Sequence, residues 1–139
     1  MTRRAHAISR WALTLFMVGA GANHFLSPAP YVGMVPAMLP APYAAIVPAW
    51  LPAHLALVYV SGVAEILGGL GLILPATRRL AAWGLIALFI AVFPANLNMA
   101  VNHLPLGTQP LPSWALWGRL PLQLVLIWWA SSFTRRDDR

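Results

Sequence analysis

The stretch Leu55–Pro75, LALVYVSGVAEILGGLGLILP, decides how the rest of the chain is read. Its length and near-uniform apolarity suit a membrane-spanning helix, which needs about 20 such residues. Glu65 interrupts it near the middle and is the only acid before the last three residues of the chain. An ionisable side chain at a bilayer midplane costs about 2.5–3.5 kcal/mol on insertion scales, so one found there marks a functional site by default. Ser61, Gly62, Gly68 and Gly69 recur around it at helical spacings. They form a small-residue face on which a second helix can pack closely, turning the carboxyl inward, away from lipid.

Composition points the same way. Of 139 residues, 60% are hydrophobic and 9% charged, whereas soluble domains carry about 25% charged residues. The net charge is +6, and the nine basic residues, all arginine, form no patch interleaved with aromatics. A nucleic-acid partner is therefore not expected, and the lipid bilayer is. There is no cysteine, which excludes disulfides, thiol relays and thiolate metal sites.

Taken in order, the chain predicts four spans, over residues 9–26, 55–74, 80–101 and 114–133, in a single transmembrane domain covering 1–139. The start has the arginines and the Ala20-Gly21-Ala22 of a signal peptide, but it reads as the first spanning helix. Between the first two spans lies a segment, 27–54, with seven prolines and no formal charge. Each proline removes a donor and clashes with the preceding turn, so short helical turns at the membrane interface are expected. Within it VPAMLPAPYAAI (35–46) is followed by VPAWLPAHLALV (47–58), identical at seven of twelve positions. Pro94 should kink the third span and free the carbonyl of Ile90. Residues 102–113 read as a turn-rich connection.

The arginines then sort by side. Eight of nine lie at the N-terminus, the 75–79 turn or the C-terminal tail. The positive-inside rule puts both termini in the cytoplasm, the proline-rich segment outside and the protein in the inner, cytoplasmic membrane as a multi-pass chain. Trp11, Trp83, Trp128 and Trp129 fall near the inner interface, and Tyr59, Trp114 and Trp117 near the outer one.

Polar residues within the spans concentrate in the outer half. Glu65, Arg119, His24, Asn23, Asn96, Ser61 and Gln123 form the candidate ligand-binding set. Arg119 and Glu65 differ in expected depth by ~7–8 Å at ~1.5 Å per residue, so long side chains pointing towards each other would span the gap. Interhelical hydrogen bonds alone would explain part of the set. One acid, one base and several amides at similar depth exceed what packing requires. His24, His54 and His103 map to the outer side but lack the i, i+4 spacing of metal-binding helices, so no metal is expected. No nucleophile triad can be assembled, and no catalytic residue is assigned.

Several segments together resemble the DoxX-like family of small membrane proteins. They are Gly21-Ala-Asn-His24-Phe25 with Pro28 and Tyr31, Val58 through Ile66, and Gly69-Leu-Gly-Leu followed by Pro75 and Arg78-Arg79. Ala81 through Leu85, Phe93-Pro-Ala-Asn96 and Arg119-Leu-Pro-Leu-Gln123 complete the set. The resemblance implies an all-α polytopic four-helix bundle with a proline-rich interfacial segment between helices one and two. Some relatives are membrane subunits of quinone-linked oxidoreductases or serve against oxidative stress, while distant ones are chaperones or cargo receptors. Those that carry cysteine pairs are not matched.

The expectation is thus a membrane subunit, not catalytic alone, whose polar cluster binds a quinone or similar small amphiphile with no covalent cofactor. The alternative is a non-enzymatic assembly or lipid-binding protein that docks a protein partner, or a second copy of itself, through the proline-rich segment. A small proton-coupled carrier is the third reading.

Overall fold

The computed structural model describes residues 2–36, 50 and 52–135. Five helices follow one another: α1 (Arg3–Leu26), α2 (Ala29–Val32), α3 (Ala53–Gly71), α4 (Arg78–Val101) and α5 (Ser113–Ser131). Among the described residues there is no strand, only an isolated antiparallel bridge between Leu106 and Gln109 in the α4–α5 connection. The all-α expectation therefore holds. Two helices, α3 and α4, are long and apolar enough to cross a membrane. Most of the duplicated proline-rich stretch, including nearly all of its first copy, lies outside the described residues.

Helix boundaries differ from expectation for local reasons. α1 begins six residues early because Thr2 caps it, its side-chain oxygen accepting from the Ala5 N–H at 3.2 Å. α3 ends three residues early because its last carbonyls are taken by side chains from the following turn. Thr77 Oγ1 donates to the Gly71 carbonyl at 2.9 Å and Arg78 Nε to the Leu72 carbonyl at 3.1 Å. α2 is a single turn started by Pro28, whose missing N–H costs nothing at a helix start.

The long helices pack in chain order: α1 on α3, α3 on α4, α4 on α5. The α1–α3 seam is the tightest. A Cβ on Gly21 would lie 2.6 Å from the Gly62 carbonyl oxygen, and one on Gly62 would lie 2.9 Å from the Gly21 carbonyl. One turn and more below, Thr14 Oγ1 donates to the Gly69 carbonyl at 2.9 Å. The small-residue face of α3 is thus where the backbones meet. α5 closes back on α1 through Trp129 Nε1, which donates to Ser9 Oγ at 2.8 Å.

Apolar packing gathers at two levels. Leu13, Met17, Leu72, Ala82, Leu85, Ile86, Phe89, Ala130 and Phe133 form the larger cluster, towards the chain termini. Met34, Met99, Ala100 and Leu116 form a smaller one at the other end. A cavity of about 460 Å³ lies between them, with Met17 and Phe89 of the first cluster and Met34 of the second in its wall.

The seam makes the first prediction. Gly21→Ala and Gly62→Ala should each lower stability by about 1–3 kcal/mol, the usual cost of overpacking. Gly19→Ala and Gly118→Ala, where an added Cβ meets nothing within 4 Å, should not. Thermal midpoints of the four variants in one detergent decide it, and equal midpoints would contradict this account of the seam.

Candidate functional site

The site is built on the glycine seam. With Gly21 and Gly62 in backbone contact, the residue one turn on from Gly21, His24, is carried against the neighbour of Gly62's face, Glu65. Side chains on a helix lean towards its N-terminus, and these two helices run antiparallel, Gly21 meeting Gly62 and Thr14 meeting Gly69, so the two side chains converge. His24 Nδ1 lies 3.1 Å from Glu65 Oε2, and both residues are buried, at 8% and 9% exposure.

The pair is unusual in its hydrogen bonding. His24 Nδ1 also lies 2.9 Å from the Ala20 carbonyl of its own helix. An oxygen on each side of Nδ1 assigns the hydrogen to that nitrogen, and the Ala20 carbonyl receives it. Glu65 Oε2 is left at ion-pair distance from His24, buried and without a hydrogen-bond partner. A buried acceptor in this state forgoes about 1–3 kcal/mol.

Tyr31 stacks on the other side of the imidazole, with ring centroids 4.0 Å apart. Its hydroxyl accepts from Asn23 Nδ2 at 2.6 Å. Asn23 therefore acts one step back from the cavity, by holding the ring that backs His24.

Across the cavity, α4 and α5 are joined by amides. Gln123 is 3% exposed, its Oε1 accepts from Asn96 Nδ2 at 2.9 Å and its Nε2 donates to the Phe89 carbonyl. The sequence predicts a free carbonyl at Ile90, four residues before Pro94; the side-chain donor arrives one residue earlier, at Phe89. Asn98 Nδ2 donates to the Met34 carbonyl at 2.9 Å, and Asn102 Nδ2 donates to Asn98 Oδ1 at 2.7 Å. These two asparagines anchor the chain that leaves α2.

The expected reach of Arg119 towards Glu65 is not made. Arg119 Nη1 points instead at two thioethers, Met99 Sδ at 3.1 Å and Met34 Sδ at 3.7 Å. Arg119 sits early in α5, and a side chain leaning towards that helix's N-terminus moves away from the level of Glu65.

Six of the seven predicted residues, His24, Ser61, Glu65, Asn96, Arg119 and Gln123, nevertheless line the one cavity, and Asn23 does not. The remaining wall is apolar, including Phe16, Leu57, Val58, Val92, Leu122 and Leu126. Sequence reasoning missed Tyr31, Met34 and Met99 as parts of the site. Asn23-His24 followed by Tyr31 beyond the Ser27-Pro28 turn was the available signal for the first. Nothing marks the two methionines. Among the described residues no group of three or more His, Asp or Glu side chains gathers as metal ligands, so His54 and His103 do not join His24.

Fold and site together define a small all-α protein with a mixed polar and apolar cavity between its long helices. Residues 38–134 match the family described as Domain of unknown function (DUF8561), and the chain belongs to that family. No curated protein and no solved structure matches it. This corrects the DoxX-like resemblance, for which nothing else speaks, and leaves the oxidoreductase-subunit role that came with it without support. The motifs behind the likeness are a glycine-lined helix, an Arg-Arg turn and a proline-kinked helix. Close helix packing and membrane topology favour such features in unrelated chains. Glu65, Asn96, Arg119 and Gln123 fall inside the matched range; His24 precedes it.

The amide bridge yields the second prediction. Gln123→Ala leaves the Asn96 amide without its partner and takes the side-chain donor from the Phe89 carbonyl, and should cost about 1–3 kcal/mol. Asn102→Ala, at an exposed helix end, should stay within about 0.5 kcal/mol. Unfolding of both variants in the same detergent measures the difference, and a Gln123→Ala protein as stable as the native one would show the bridge to be dispensable.

Proposed function

We propose that the protein is a polytopic membrane protein that binds a small amphiphile in the cavity between its long helices. The observation that carries this reading is the lining: a carboxyl, a guanidinium, an imidazole and two amides share one 460 Å³ space with a predominantly aliphatic and aromatic wall. That volume falls in the range of about 300–1,000 Å³ typical of small-molecule sites, which combine an apolar wall with a few convergent polar groups. The lining suits a polar head on an apolar body, a description that quinones share with fatty acids and alcohols.

The membrane setting rests on three supports. α3 and α4 have the length and apolarity to span. Large apolar side chains face outward on the long helices, among them Leu15 on α1, Leu67 on α3, Leu80 and Ile90 on α4, and Leu124 and Trp128 on α5; contiguous exposed apolar surface of this kind marks contact with lipid or protein. Eight of nine arginines lie at the chain termini or the α3–α4 turn. The proposed arrangement is four crossings, by α1, α3, α4 and α5, with both termini cytoplasmic and the proline-rich segment outside.

Two measurements test this. Because the chain has no cysteine, Arg79→Cys and Thr108→Cys can be labelled individually in intact cells with a membrane-impermeant maleimide. Thr108→Cys should label and Arg79→Cys should not; labelling of both, or of the reverse one, sinks the topology. For the cavity, mass spectrometry of small molecules retained by gently solubilised native protein is compared with Ser61→Phe, which fills the space. A specific amphiphile lost in the variant is the expected result, and identical profiles would count against binding there.

A further inference from the structure

We propose that the amphiphile's head is an oxyanion, a carboxylate or a phosphate, received by Arg119. This rests on the cavity reading above and adds the charge of the ligand to it.

The lining's permanent cation is Arg119, and its acid is Glu65. Glu65 already has His24 beside it at 3.1 Å, and its Oε2 is turned out of reach of solvent. Arg119 has no carboxylate beside it. Among the described residues its contacts are the sulfurs of Met99 and Met34, both made by Nη1. A thioether is a weak acceptor, while a guanidinium presents five N–H donors in a rigid fork. That fork matches a carboxylate or phosphate with two parallel hydrogen bonds, each charge-assisted and about twice as strong as a neutral one. The unanswered donors at this cavity are therefore those of a cation built for an oxyanion.

Position supports the same head group. Gly68 of α3 packs on Leu85 of α4, which puts Glu65 level with about residue 88 of α4. Met99, on which Arg119 rests, is then ~16–17 Å further along at ~1.5 Å per residue. Arg119 thus stands at one end of the cavity and Glu65 towards the other, with His24 on the wall between. Val58, Val92 and Leu122 lie between them as an apolar wall. The buried Met34, Met99 and Leu116 pack around the arginine's end and limit its movement. A head held at Arg119 leaves its chain running down this wall. A cationic head would have to enter tail-last and displace His24 from Glu65 to find a counter-charge.

The test compares heads on one chain length. Equilibrium binding of isotope-labelled laurate, dodecyl phosphate, dodecanol and dodecylamine to the full-length protein is measured in a non-ionic detergent. At least one of the two anions should bind the native protein on the order of tenfold tighter than dodecanol, the scale of one charge-assisted hydrogen bond. Arg119→Gln should abolish that preference, so that the anions bind no tighter than dodecanol. Arg119→Lys, which keeps the charge, should retain a reduced preference. Which anion binds better separates a fatty-acid source from a phosphate-headed one. Dodecanol or dodecylamine binding as tightly as both anions, or an anion preference that survives Arg119→Gln, overturns the inference and leaves the cavity reading standing. Binding of none of the four to native protein overturns both. The comparison on the native protein needs no variant to fold.

Discussion

The backbone contact between Gly21 and Gly62 is the constraint on which the rest depends. Helices separated by ordinary side chains hold their axes 8–10 Å apart, and small residues at the contact let backbones come closer. Here neither glycine has room for a Cβ, and the gap closes. The consequence is chemical as well as mechanical, because the closest approach of two backbones brings His24 to Glu65. In a membrane, where apolar surface gives helices little reason to associate, such packing supplies the attraction itself. The same feature therefore stabilises the α1–α3 pair and builds the polar floor of the cavity.

The polar groups divide into those that hold the walls and those that face the space. Thr14 is committed to the Gly69 carbonyl, Asn23 to Tyr31, Gln123 to Phe89 and Asn96, and Asn98 to Met34. Each bond crosses between elements, and those of Asn96 and Gln123 occupy donors of the cavity wall. Arg119 keeps most of its donors unspent, while Glu65 faces His24. A cluster of polar residues read from sequence thus overstates the chemistry open to the cavity, since most of its members are committed to the frame.

Much of this was legible in the sequence. Hydropathy gave the long helices nearly to the residue at α4, whose ends are set by the Arg78-Arg79 turn and the Asn102-His103 connection. Glu65 stood out because an acid in an apolar helix has few explanations, and the glycines around it indicated the packed face. The partner of Glu65 was not legible. Depth alone suggested Arg119, but depth says nothing about azimuth or about side-chain lean, and both favour His24. Met34 belongs to a proline-rich segment without periodicity, so its contact with Arg119 had no sequence signal. The family likeness misled for a related reason: features imposed by packing and topology are shared by chains of different descent.

Proline explains why a cavity persists between two well-packed clusters. Pro94 lies in the cavity wall with Ala91, Val92, Ala95 and Asn96, and it withholds the N–H that would complete the turn begun at Ile90. Beside the Ile90 carbonyl, Gln123 adds a side-chain donor at Phe89 and ties the proline-containing helix to α5. The small alanines on either side of the proline leave volume that larger side chains would fill. Filling it would add van der Waals contact at no cost to the helix, so an apolar replacement for Gln123 with bulkier residues at 91 and 95 would be an easier way to build a stable α4–α5 pair. The chain instead spends an amide on holding a proline-interrupted helix beside an open space, and that arrangement makes sense when the space itself is what the fold maintains.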